Sequence, residues 1–165
     1  MSFGSWYRLL LGACIALVLL GSAQAETVTA NDGKFTVQFP APAKYTTFNQ
    51  SPRADPSSIV VISEWEAKVG DKIWFVSSAV YPPRLGNLTY DNAVSDLKGI
   101  IRQSTFRHAG LQGREVVSSA GEGWVRRARY LIADRHFLRL SYTGRTGSEH
   151  DADVDRFFNS LKVRR

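Results

Sequence analysis

The 165-residue sequence predicts an α+β fold, an antiparallel β-sheet packed by an internal and a C-terminal helix. Three observations carry that prediction. Phe35, Val37 and Phe39 alternate with Thr36 and Gln38, the period of a half-buried strand. Tyr90, Ala93, Val94, Leu97, Ile100 and Ile101 instead follow the i, i+3, i+4, i+7 spacing of a helix face. Val154, Phe157, Phe158 and Leu161 repeat that helical spacing near the end of the chain.

The first element is set apart from the fold. Arg8 supplies a positive charge, Leu9 to Leu20 is apolar without a break, and Ala23 and Ala25 place small residues three and one before a cleavage point. The apolar run falls short of the ~20 residues that span a bilayer. Residues 1–25 are therefore expected to be a cleaved Sec-type signal peptide, and residues 26–165 a single α+β domain, periplasmic or secreted. Cys14, the chain's one cysteine, lies inside the signal. Its apolar stretch continues as Ile15 to Leu20, whereas a lipoprotein signal would place its apolar core before the cysteine. The mature chain would then have no disulfide and would rest on an ordinary hydrophobic core.

Along the mature chain, Asn31-Asp32-Gly33 predicts a turn and Phe35–Phe39 a strand, which Pro40-Ala41-Pro42 ends because proline offers no ladder N–H. Lys44 to Asn49 follows as a polar strand, then a loop with Pro52 and Pro56. Ile59 to Ala67 and Lys72 to Tyr81 read as a hairpin turning at Val69-Gly70-Asp71, closed by Pro82-Pro83. The internal helix is expected from Thr89, its N-cap, to Ile101, with Gly99 inside it at a cost of up to ~1 kcal/mol. Three strands then follow: one entered at Gly113, then Trp124 to Ala133, then His136 to Thr143. Alternation sends Arg114 and Glu115 of the first to opposite faces, so the adjacent pair is no compact catalytic dyad. Ser148 is expected to cap the closing helix, with Asp151 three residues on in a box-like arrangement.

Removing the signal takes away only Arg8, leaving twenty basic against fifteen acidic side chains, a net +5. So modest an excess permits an anionic partner without requiring one. The sequence contains no Walker loop, Rossmann fingerprint, Gly-x-Ser-x-Gly elbow or His-Glu-x-x-His helix. His108, His136 and His150 stand in three different contexts, and Ser148 to Asp153, SEHDAD, offers acidic ligands that a helix dipole explains without a metal. Glu64 and Glu66 share a strand face, which suits either an acid–base pair or a solvated edge. Arg126, Arg127, Arg129, Arg135, Arg139 and Arg145 all fall in one predicted hairpin. Within it, Arg126, Arg127, Arg129 and Arg139 are the candidate ligand-binding residues. Alternation separates Arg127 and Arg129 from Arg126, and a two-residue turn sets Arg139 across from Tyr130.

The segments GKFTVQFPAPAK (Gly33 to Lys44), LQGREV (Leu111 to Val116), RARYLIADRHFLRL (Arg127 to Leu140) and RFFNSLKV (Arg156 to Val163) together carry a resemblance. The chain resembles exported bacterial proteins of unassigned function that belong with the Mog1/PsbP-like α/β sandwich superfamily. One departure is Ala133, where such sequences favour glycine before the tight turn. The resemblance implies the sandwich fold and accessory or binding roles, and supplies no shared catalytic residues. The expected function is thus an exported, non-enzymatic binding module without a cofactor. Its expected partner is an envelope protein or an anionic ligand, not a nucleic acid, and the mature chain is expected to carry no membrane span. The alternative is a small periplasmic hydrolase or metal-dependent enzyme whose site assembles from scattered Glu, His and Asp.

Overall fold

A computed structural model describes residues 24–30, 33–51, 58–82, 89–90, 94, 97–133 and 135–164. Among these, ten strands form two antiparallel sheets. The smaller sheet joins β1 (Glu26–Ala30), β2 (Phe35–Phe39) and β10 (Lys162–Val163) in the order β1-β2-β10. The larger contains β3 (Lys44–Gln50), β4 (Val60–Val69), β5 (Lys72–Val80), β6 (Ile100–His108), β7 (Leu111–Ser119), β8 (Trp124–Ala133) and β9 (His136–Arg145). Its order is β3-β4-β5-β9-β8-β7-β6, so β5 and β9, far apart in sequence, are neighbours. A 3-10 turn (Ser148–His150) and helix α1 (Ala152–Asn159) close the chain.

The large sheet has two faces with different coverings. On the core face Trp65, Ala67, Trp74, Val76, Leu131, Leu138, Leu140 and Tyr142 pack against Val28, Phe35, Val37 and Phe39 of the small sheet. The same core takes in Val154, Phe157, Phe158 and Leu161, the stripe that the helical spacing predicted. Phe157 meets Phe39 and Phe158 edge-on, with ring centroids 5.4 and 5.3 Å apart. On the opposite face Val94, Val116, Ala128 and Tyr130 form a second, smaller cluster with Tyr90, Leu97 and Phe137. The Tyr90 hydroxyl ties this covering to the sheet, donating to the Gln112 carbonyl and accepting from the Ile132 amide at 3.1 Å.

Several expectations are corrected. The internal helix is much shorter than its spacing suggested. Tyr90 and Val94 are helical, but Leu97 and Lys98 have left the helix, and Gly99 turns at φ +67°, with its carbonyl accepting from Ser119 N at 2.8 Å. Ile100 and Ile101 begin a strand instead. A register shift between Ile100 and Arg102 leaves both isoleucines exposed and breaks the period of two, which is why the pair imitated a helix face. Four strands therefore follow where three were expected. The turn into β7 is Ala109-Gly110, both at positive φ, while Gly113 lies within the strand. There the Phe106 ring covers it, and a Cβ would come within 2.4 Å of that ring and 2.9 Å of the Tyr130 carbonyl.

Ser148 does not cap the closing helix. The N-cap is Asp151, and the Ser148 hydroxyl instead donates to the Arg145 carbonyl at 2.5 Å and meets the Tyr142 hydroxyl at 2.7 Å. Strands β1 and β10 were not anticipated. The proposed signal up to Ala23, the Asn31-Asp32 turn residues, the Pro52 and Pro56 loop, Pro83, and residues 91–93, 95 and 96 of the expected helix lie outside the described residues.

Candidate functional site

The four candidate arginines do not form one patch. Arg127 and Arg129 point to the core face, where Glu115 from β7 receives both: Arg127 Nη2 donates to its Oε2 at 3.1 Å and Arg129 Nε at 2.6 Å. Register causes this, because Glu115 pairs with Arg129 and Val117 with Arg127. Arg127 Nη1 also donates to Asp155 Oδ1 at 2.7 Å and to the Glu149 carbonyl at 3.0 Å. Both guanidiniums lie over the Phe158 ring, at 4.9 and 5.1 Å from its centroid. Burial pushes the Glu115 carboxyl up, but hydrogen bonds and charge from Arg129 and Arg127 outweigh it and hold the group below its ordinary value. Burial likewise pulls Arg127 down, and Asp155 and Glu115 more than restore it. These two arginines bind the closing helix to the sheet.

Arg126 and Arg139 point to the opposite face. There the register builds two adjacent cross-strand rows. One runs Thr46, Glu64, Ser77, Arg139 and Tyr130 from β3 through β4, β5 and β9 to β8. Its neighbour runs Phe48, Ile62, Ala79, Phe137 and Ile132 across the same strands. Residues of both rows line a cleft of about 350 Å³, with Thr89 and Leu97 among its other lining residues. A second hollow of about 270 Å³ shares Leu97, Tyr130 and Arg139 and reaches Phe75 and Arg126. The first volume is within the range of small-molecule sites.

Arg139 is held with its guanidinium carbon 4.7 Å from the Phe75 ring centroid. Its Nε is buried without a hydrogen-bond partner, and among the described residues no carboxylate pairs with it. Burial pulls its pKa down and Arg126 adds to that, while Tyr130 and Glu64 oppose it. Glu66, the other carboxylate of β4 on this face, is engaged by Lys68 at 3.1 Å.

The remaining candidates are dispersed. His108 Nε2 lies 2.8 Å from the Leu161 carbonyl, His136 packs edge-on to Phe35 on the core face, and His150 ends the 3-10 turn. In SEHDAD, Lys72 donates to Asp151 at 2.8 Å and Asp153 at 3.0 Å, Glu149 accepts from the Gly147 amide, and Asp155 beyond it takes Arg127. The two aspartates raise the Lys72 pKa above its ordinary value. Among the described residues no three His, Cys, Asp or Glu side chains stand where they could share a metal ion. Sequence reasoning missed the role of Phe48, Ile62, Ser77 and Phe137. Their strand alternation was visible, but not which strands would become neighbours.

The geometry defines an α+β sandwich in which a large antiparallel sheet is closed on one face and clefted on the other. No family model and no curated protein matches the chain. Solved structures do. The solution structure of the cyanobacterial PsbP protein CyanoP from Synechocystis sp. PCC 6803 covers 93% of this chain and 99% of its own, at 13% identity and a TM-score of 0.55. The crystal structure of PA94, a protein of unknown function from Pseudomonas aeruginosa, covers 86% of this chain and 99% of its own, at 10% identity and a TM-score of 0.43. The fold is therefore Mog1/PsbP-like, as the sequence resemblance implied.

Proposed function

We propose that the chain is an exported, non-enzymatic binding module whose ligand occupies the cleft between the Thr46–Tyr130 and Phe48–Ile132 rows. One observation carries this reading: the cleft holds Arg139, which has no carboxylate partner among the described residues, whereas Arg127 and Arg129 on the core face are paired with Glu115 and Asp155. The accessory character rests on the PsbP-like fold, and the export on the signal pattern of residues 1–25. No histidine is among the described residues that line the cleft, and among the described residues no three His, Cys, Asp or Glu side chains come together elsewhere.

The test is amide-shift mapping by NMR with a cocktail of small fragments, on the chain recovered after export from a bacterial host. Shifts should cluster at Ile62, Ser77, Ala79 and Phe137, and the recovered chain should begin at Glu26. Shifts confined to the edge strand β6 would sink the cleft as the site. Turnover of ester, phosphoester or peptide substrates that disappears in Glu64→Gln would favour the enzyme reading instead.

A further inference from the structure

We propose that the cleft takes a small amphiphile bearing a single negative charge, its anionic head on Arg139 and its apolar body along Phe48, Ile62, Ala79 and Phe137. This rests on the cleft being the binding site and names the class of ligand it takes. Because side chains on one face recur every second residue, the polar row holding Arg139 lies one step from the apolar row holding Phe137. A bound molecule must therefore present a polar group beside an apolar body.

The sign of the polar group follows from what Arg139 lacks. A guanidinium stays charged in a protein, and a buried charge is costly unless it is paired. Arg127 and Arg129, similarly enclosed, have Glu115 and Asp155. Arg139 has the Phe75 ring, which offsets part of the cost, but among the described residues no carboxylate, and its Nε, like that of Arg127, has no acceptor. An anionic head would supply that acceptor in a planar, two-oxygen form that suits the guanidinium fork.

The number of charges follows from a count around the cleft. Arg126 and Arg139 are positive, Glu64 is negative, Glu66 is bridged by Lys68, and Lys44 stands opposite Glu66 in an adjoining hollow. In the cleft itself the charged lining residues among those described are Arg139 and Glu64, which form no ion pair with each other, so the guanidinium leaves room for one anionic head. A cation would meet the two arginines, and a neutral amphiphile would leave Arg139 unpaired.

Decanoate, 1-decanol and decyltrimethylammonium share one alkyl tail and differ in head charge, so titrating the exported chain with each, read by amide shifts, separates head from tail. Decanoate should bind on the order of tenfold more tightly than decanol, the cation most weakly, with shifts at Ser77, Ala79, Phe137 and Arg139. Arg139→Met should erase the preference for decanoate and leave decanol binding unchanged. Should that variant not fold, Glu64→Gln tests the same point: removing the facing carboxylate should tighten decanoate binding about threefold.

Decanol binding as well as decanoate, or a preference that survives Arg139→Met, overturns the anion assignment while the cleft remains the site. Absence of cleft shifts with all three amphiphiles removes both readings. Vesicles containing phosphatidylglycerol separate a free ligand from a bilayer lipid. The chain should not sediment with them, and Arg139-dependent sedimentation would overturn the free-molecule assignment.

Discussion

Arg127 and Arg139 are the same residue type on adjacent strands, and what faces each decides its role. Removing Glu115 leaves Arg129 without a carboxylate and Arg127 with Asp155 alone in a largely buried setting, so Glu115→Ala should cost about 3 kcal/mol in chemical denaturation. Arg139→Met, by contrast, removes a charge that among the described residues has no carboxylate partner, and keeps much of the packing volume against Phe75. Its cost should be less than about 1 kcal/mol, and a loss as large as that of Glu115→Ala would mean Arg139 is structural. Glu115 also gives a pH signature. Its folded carboxyl titrates below the ordinary value of 4.5, so its stabilising contribution is complete above that pH and is lost as pH falls through the folded value. Glu115→Gln should therefore flatten the acid limb of unfolding midpoint against pH. Identical limbs in the two proteins would show that other carboxylates set it.

At the scale of elements, the β6–β7 hairpin concentrates the backbone demands of the fold. Ala109 has φ 49° and Gly110 φ 76°, the left-handed pair that a tight two-residue hairpin turn requires. An alanine there costs roughly 1 kcal/mol that asparagine largely avoids, so Ala109→Asn should raise stability by about that amount. Gly113→Ala should do the opposite, because the Tyr130 carbonyl is backbone and cannot give way as a flexible side chain would. The element-level reading of the sequence succeeded where alternation was uninterrupted, as in Phe35–Phe39, and where a helix stripe ran to its end, as in Val154 to Leu161. It failed at Ile100 and Ile101 because a bulge there suspends the period on which the reading depends. β10 is only two residues long and β1 lacks large apolar side chains, so neither announced itself; both are strands because β2 lies between them. Of the candidate site, the split of Arg126 from Arg127 and the facing of Arg139 by Tyr130 were legible, since both lie within one hairpin. The apolar row was not, because the neighbourhood of β5 and β9 is set by the tertiary fold.

For the whole molecule, the large sheet separates a closed face that holds the core from a face only partly covered, by the cluster around Val94 and Tyr130. The core face is closed by the small sheet, by α1 and by the Glu115 network, while the opposite face carries the cleft. This division predicts how mutations combine. Phe158→Ala empties part of the core and should cost about 3–5 kcal/mol. Arg139→Met acts on the other face, among residues that Phe158 does not touch, so the double variant should be additive within about 0.5 kcal/mol. Glu115→Ala and Arg127→Met share one ion pair, and their double variant should depart from additivity by about 1 kcal/mol, since either change alone already breaks that pair. Strong coupling between Phe158 and Arg139 would mean that the sheet transmits strain between its faces and that ligand binding in the cleft is felt in the core. Independence would mean that the cleft can change its lining, and with it its ligand, without loss of the fold.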